Sequence, residues 1–203
     1  MKIGIIGGTF DPIHIGHLKI AEQALKEYEL DEIWFMPAGD PYFKEKLKVT
    51  PASMRLEMTR LCISDLHSAY IVSDLEVMRS GKTYTSDTLT ELKFKYPEHE
   101  FYFIIGLDSL YQLHKWHRPD LIFNQAVLLC AVRDDFNADD IEARIMELKT
   151  AYPDTRCDIR LLHSDRIDIS STELRRFVKT GKDISAYVTK SVLKYINEHN
   201  LYI

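Results

Sequence analysis

The sequence predicts an α/β protein built as a doubly wound, parallel sheet of the Rossmann-like kind. Short apolar runs alternate with segments of helical period, the first run passes straight into two glycines, and no repeat, linker or low-complexity stretch interrupts the pattern. With 203 residues and 45% hydrophobic content, the chain has material for one domain with a sizeable core. That domain is expected to span residues 1–203, with the C-terminal helices, from about residue 171 onward, packed on it.

Taken in order, Lys2–Ile6 reads as a buried first strand. After His14, Leu18, Ala21 and Leu25 fall at i, i+3 and i+7, which predicts an amphipathic helix with Lys19, Glu22 and Lys26 on its polar face. Ile33–Met36 is the second strand; Met54, Met58 and Leu61 share the apolar face of a helix; Tyr70–Val72 is a short strand. Leu89, Leu92 and Tyr96 mark a helix that ends before Pro97, because the residue ahead of a proline is steered away from helical geometry. Phe101–Ile105 is a strand stopped by Gly106, Ala126–Val132 another strand, Ile141–Leu148 a helix and Ile159–Leu162 a last short strand. Helices over Thr172–Lys179 and Lys190–Glu198 follow.

Composition narrows the function classes. A net charge of −5 argues against a broad grip on nucleic acid, which needs a basic surface, so an anionic ligand requires a local positive cluster instead. The longest uncharged apolar run, around Ala126–Val132, is too short to cross a bilayer, and the N-terminus lacks the basic region and cleavage site of a signal peptide. A cytoplasmic protein without membrane or nucleic-acid partners is the expectation. Cys62, Cys130 and Cys157 are odd in number and form no C-x-x-C pair, so they read as reduced and buried rather than as disulfides or metal ligands.

Two stretches carry chemistry. In a doubly wound sheet ligands sit at the carboxyl ends of the strands, where GGTFDPIHIGH, residues 7–17, follows the first strand. Gly7 and Gly8 let backbone N–H groups approach a phosphate, and the next helix aims its positive end there; two glycines alone would equally suit a plain turn. His14 and His17, read as sharing a face of the first helical turn, can both donate to one phosphate group. An H-x-x-H pair can also be structural or hold a metal, but no third ligand stands nearby. The dinucleotide fingerprint G-x-G-x-x-G is absent. In IDISSTELRRF, residues 167–177, Ser170 and Glu173 have capping-box spacing, while Ser170, Ser171, Thr172 and Arg175 together make an anion site. Two such sites suit a polyphosphate held between them.

GGTFDPIHIGH followed by ISSTELR resembles the H-x-G-H and S-S-T-x-x-R signatures of the nucleotidyltransferase superfamily, and more fully the nicotinate-nucleotide adenylyltransferase family of bacteria. FMPAGDPYFK, SDLEVMRSGKTYTSDTL, FIIGLDSLYQLHKWH and YINEHNLY resemble segments of that family in the same order. In two places the chain departs: Pro41-Tyr42-Phe43-Lys44 stands for the usual P-P-H-K, and Arg133-Asp134-Asp135 for arginine-proline-glycine. The resemblance implies transfer of the adenylyl group of ATP to nicotinate mononucleotide, giving deamido-NAD and pyrophosphate in NAD biosynthesis, by direct in-line displacement without a covalent intermediate. It implies His14, His17, Lys44 and Arg175 as catalytic groups. ATP contacts fall on Gly7, Gly8, Thr9, Phe10, His14, His17, Gly106, Asp108, Ser170, Ser171 and Arg175. Acceptor contacts fall on Lys44, Thr85, Trp116 and His117. Asp108 read alone is equally a helix N-cap, Thr85 a helix-start residue and Trp116 a core residue, while His114 and His117 read as loop residues flanking Trp116. Mg2+ is expected to accompany ATP on its phosphate oxygens, with no metal site of the protein's own. Homo-oligomerisation is left open, and a pantetheine-phosphate adenylyltransferase, a cytidylyltransferase or a non-catalytic nucleotide sensor remain as rival readings.

Overall fold

The computed structural model describes residues 1–41, 49–64, 66–132, 137–163 and 169–203. Lys44 and both family departures, Tyr42–Phe43 and Arg133–Asp135, lie outside the described residues. Two short strands, β3 (Asp40–Pro41) and β5 (Lys82–Thr83), pair only with each other. The main sheet has six: β1 (Lys2–Gly8), β2 (Glu32–Pro37), β4 (Tyr70–Val72), β6 (Glu100–Gly106), β7 (Ala126–Val132) and β8 (Ile159–His163). Every ladder between them is parallel, in the order β4-β2-β1-β6-β7-β8. Strand succession runs one way from β1 to β4 and the other way from β6 to β8, so the topological switch point lies between β1 and β6. The doubly wound, Rossmann-like expectation is met.

Parallel strands covered on both faces read as continuous apolar runs. In β6, Phe101, Phe103 and Ile105 turn to one face while Tyr102 and Ile104 turn to the other. The face of Tyr102 and Ile104 carries α1 (Ile15–Glu27), α2 (Ala52–Ile63), α7 (Ser171–Lys179) and α8 (Lys190–Glu198), with Ala21, Met58, Leu174, Val192 and Ile196 in its core. The opposite face carries α3 (Thr85–Lys95), α4 (Leu107–Gln112), α5 (Pro119–Gln125) and α6 (Ala138–Ala151), with Leu89, Leu110, Phe123 and Ile141 buried. The three cysteines are free and buried as expected, and burial pushes the Cys62 and Cys130 thiols up to about 12.

Each strand and helix read from periodicity is present, with three corrections. The buried positions of α2 are Arg55, Leu56, Met58, Thr59, Cys62 and Ile63; Met54 and Leu61 are only half-buried, so the apolar face is rotated from the predicted one. His114, read as a loop residue, lies in the 3-10 turn Leu113–Lys115, between α4 and α5, two helices too short to show a helical period. The ladder of β3 with β5 joins two-residue strands, beyond the reach of any alternation test.

Candidate active site

At the end of β1 the missing side chains of Gly7 and Gly8 are used by packing. A Cβ on Gly7 would lie 3.2 Å from the Phe103 ring, and one on Gly8 3.1 Å from the Phe10 ring. Phe10 takes φ +49° and is 2% exposed, so its ring belongs to the core rather than to a nucleotide. That ring meets His17 edge-on at 4.9 Å between centroids. His14 is the N-cap of α1, one position ahead of the helical turn in which it was expected. Its Nδ1 accepts the Gly16 N–H at 3.2 Å, and the His14 N–H in turn donates to His17 Nδ1 at 3.2 Å.

These two bonds settle the tautomers. Each Nδ1 is an acceptor, so in the neutral ring the proton sits on Nε2, and both imidazoles present an Nε2–H donor. The rings lie 3.9 Å apart. Gly16 is required because a Cβ there would come within 2.9 Å of the His14 ring. Burial pushes His14 down from 6.5 to about 4, which keeps it a neutral donor at pH 7. The folded value lies below the unfolded one, so stability from this group is full above pH 6.5 and falls away as pH drops toward 4. A loss of about 3 kcal/mol is expected across that window. Urea denaturation at both ends should register it in the unmodified protein and find it much reduced in His14→Asn; an equal loss in both would contradict the assignment.

The second motif comes to the same turn. Ser171 Oγ donates to the Pro12 carbonyl at 2.9 Å, and Arg175 Nη1 donates to the Asp11 carbonyl at 2.7 Å. Arg175 Nη2 also reaches Thr172 Oγ1 at 3.2 Å. Ser170 is spent differently: its Oγ donates to Glu173 Oε2 at 2.8 Å and accepts the Glu173 N–H at 3.2 Å, while Glu173 accepts the Ser170 N–H. In this structure both hydroxyls donate within the protein, Ser170 to Glu173 and Ser171 to the Pro12 carbonyl. The helix start remains, with Arg175 fixed beside the histidine turn.

Beneath the turn lies Arg55, a residue no sequence signal singled out. It is 1% exposed, and its guanidinium donates to the carbonyls of Thr50, Thr9 and Gly39 at 2.7 to 2.8 Å. One side chain thereby ties the β1 turn, the segment after β2 and the entry to α2.

Beside the switch point is a cavity of about 320 Å³, lined by Gly7, Gly8 and Thr9 from the β1 end and Ile105, Gly106 and Ser109 from the β6 end. Thr85, Trp116 and His117 also line it. Sequence reasoning missed Glu76, Thr83, Tyr84 and Phe103 on the same wall. The Tyr84 and His117 rings pack at a tilt of 36° with centroids 4.5 Å apart, and Phe103 meets Trp116 edge-on at 6.4 Å. Thr85 opens α3, whose N-cap, Tyr84, supplies no side-chain cap. Glu76 is buried, its carboxyl pushed up by burial, and accepts the Thr88 hydroxyl at 2.8 Å. Asp108 corrects the N-cap alternative: Gly106 caps α4, and Asp108 sits exposed in its first turn, outside the cavity lining.

The crevice thus opens at the switch point of the β4-β2-β1-β6-β7-β8 sheet, with paired histidine donors at a helix start and an arginine held to the same turn. The cytidylyltransferase-like family model matches residues 5–177. A protein of Lachnoclostridium phytofermentans described as "Probable nicotinate-nucleotide adenylyltransferase" is 43% identical over 202 residues, covering 100% of this chain and 99% of that one. A protein of Exiguobacterium sibiricum with the same description is 42% identical, again covering 100% and 99%. The chain belongs to the nicotinate-nucleotide adenylyltransferase family. Among solved structures, nicotinic acid mononucleotide adenylyltransferase of Plasmodium falciparum complexed with NaAD shares the fold, with a TM-score of 0.80, 24% identity, and 99% and 97% of the two chains covered. Among the described residues no helix is long and apolar enough to cross a membrane.

Proposed function

We propose that residues 1–203 act as one domain that transfers the adenylyl group of ATP to the phosphate of nicotinate mononucleotide, yielding deamido-NAD and pyrophosphate. The observation that carries this reading is the grip of Ser171 and Arg175 on the Asp11–Pro12 turn, which sets the second anion motif against the His14–His17 donors. An oxygen of the acceptor phosphate attacks the α-phosphorus of ATP; that P–O bond forms as the bond to the β-phosphate oxygen breaks, and pyrophosphate leaves with the electron pair. No nucleophilic side chain is needed, because the acceptor already carries the nucleophile. The contribution of the protein is alignment and stabilisation of charge in the transition state.

In this scheme the Nε2–H groups of His14 and His17 and the guanidinium of Arg175 donate to the transferring phosphoryl group and the departing pyrophosphate. Lys44 joins them on the strength of its place in the sequence alone. ATP enters with Mg2+ on its own phosphate oxygens, where the ion shields the polyphosphate charge. The backbone of Gly7, Gly8, Thr9 and Phe10 and the Gly106–Asp108 segment take the nucleotide along the switch point. The aromatic cavity takes the pyridine ring, with Trp116 stacking and His117 braced by Tyr84.

The ring substituent meets donors at the start of α3, where Thr85 contributes a hydroxyl and the helix its positive end. A carboxylate accepts from all of them, whereas a carboxamide sets its NH2 against one. Leaving a buried donor unpaired costs about 1–3 kcal/mol, so the acid acceptor is expected to exceed the amide by about tenfold or more in kcat/KM. Thr85→Val should narrow that gap. Pyrophosphate release from ATP and Mg2+ with a panel of phosphate acceptors tests both points: no release with nicotinate mononucleotide would refute the reaction, and equal kcat/KM for acid and amide would refute the carboxylate assignment alone.

A further inference from the structure

The Asp11–Pro12 turn is held from one more direction. Tyr202, in the segment after α8, donates its hydroxyl to Asp11 Oδ1 at 2.8 Å, across 191 residues of sequence. The second carboxylate oxygen, Oδ2, accepts the Thr50 N–H at 3.2 Å, and the carbonyl of the same residue accepts Arg175 Nη1. Asp11 is 3% exposed, so a lost donor would not be replaced freely by water. Burial and the neighbouring Asp11 charge push the Tyr202 phenol up, which keeps it protonated and able to donate.

The backbone around this contact is unusual. Tyr202 takes φ +68° and Phe10, next to Asp11, takes φ +49°. A bulky residue adopts the left-handed region only where its surroundings dictate it, and such positions gather at functional sites. Leu201 and Tyr202 both pack against the hydrophobic core of the sheet face that carries α1, and Tyr202 in addition brings its hydroxyl to the buried Asp11 carboxylate, with Met58 Sδ at 3.9 Å. Packing alone would be served as well by phenylalanine.

We propose that Tyr202 is a positioning residue for adenylyl transfer, acting through Asp11 to fix the turn on which Arg175 and the histidine donors are set. The inference rests on the adenylyltransferase reading. Without the hydroxyl, the Asp11 side chain can turn away and carry with it the carbonyl that Arg175 grips. The consequence falls on the alignment of phosphoryl donors and hence on kcat. Acceptor binding is built from other elements, α3 and the segment around Trp116.

The test is a cycle of Tyr202→Phe, Asp11→Ala and the double variant, with Leu201→Ala alongside, each assayed for pyrophosphate release and thermal stability. Tyr202→Phe is expected to lower kcat about tenfold while the KM for nicotinate mononucleotide stays within about twofold, and to have no further effect once Asp11→Ala is present. Leu201→Ala should lower the melting temperature and leave kcat per folded molecule unchanged. An unaltered kcat in Tyr202→Phe, equal losses in both backgrounds, or loss of stability alone would overturn the proposal while leaving the reaction standing. If the unmodified protein releases no pyrophosphate, the adenylyltransferase reading fails and this inference fails with it.

Discussion

His17→Ala is expected to lower kcat by about 10²- to 10³-fold in a protein that still folds, the loss typical of removing one preorganised donor to transition-state charge. The expectation follows from how tightly the ring is set. Its Nδ1 accepts the His14 N–H, its edge meets Phe10 and its face lies over His14, so the direction of Nε2–H is fixed before any ligand arrives. Alanine removes the donor and also the partner of the His14 N–H. That bond is only part-buried and water can take its place, so the stability cost is about 1 kcal/mol, worth a few degrees in melting temperature. Steady-state pyrophosphate release alongside a thermal melt separates the two effects. Unchanged kcat in a well-folded variant would end the phosphate-donor assignment, and a collapsed melt with intact activity per folded molecule would make His17 structural.

How much of this was legible in the sequence depends on the physical range of each signal. The parallel sheet was legible because every buried strand is a continuous apolar run, and β6 and β7 stand out as EFYFIIG and AVLLCAV. The histidine turn was legible as a motif, since Gly16 and both imidazoles are neighbours in the chain. Its tautomers were not, because they follow from two backbone bonds that only the folded turn creates. The contacts of Ser170 and Ser171 were ambiguous in sequence for a related reason: a hydroxyl at a helix start serves a cap, a neighbouring carbonyl or a phosphate equally well, and the proximity of Ser171 to Pro12 is created only by the fold. Thr85 and Trp116 were found through resemblance, whereas Glu76 and Tyr84, which share their cavity, carry no pattern that separates them from ordinary loop residues. Arg55 was hidden most completely. Helical periodicity places charged residues on the outer face, and a cation in the first turns of a helix opposes the dipole, so nothing in the α2 sequence points to a buried guanidinium.

That concealment makes Arg55 the sharpest test of the architecture beneath the site. Arg55→Met keeps a stem of similar bulk but removes the three donations to Thr50, Thr9 and Gly39, leaving three part-buried carbonyls without the donor that joins them. At about 1 kcal/mol for each lost hydrogen bond the cost is about 3 kcal/mol, which in a protein of this size corresponds to a fall of roughly 10 °C in melting temperature. Arg55→Lys should recover only a minor part, because an ammonium on a single stem cannot present a planar fork to three separated carbonyls. The damage is also expected to reach catalysis: Thr9 follows the two glycines of β1, and the Thr50 N–H holds the Asp11 carboxylate, so loosening their carbonyls loosens the turn from both sides. Activity per folded molecule, measured well below the lowered melting temperature, should therefore fall with stability in Arg55→Met. A melting temperature within about 2 °C of the unmodified protein would show that the three carbonyls are satisfied without the guanidinium, and the account of how this turn is supported would have to be abandoned.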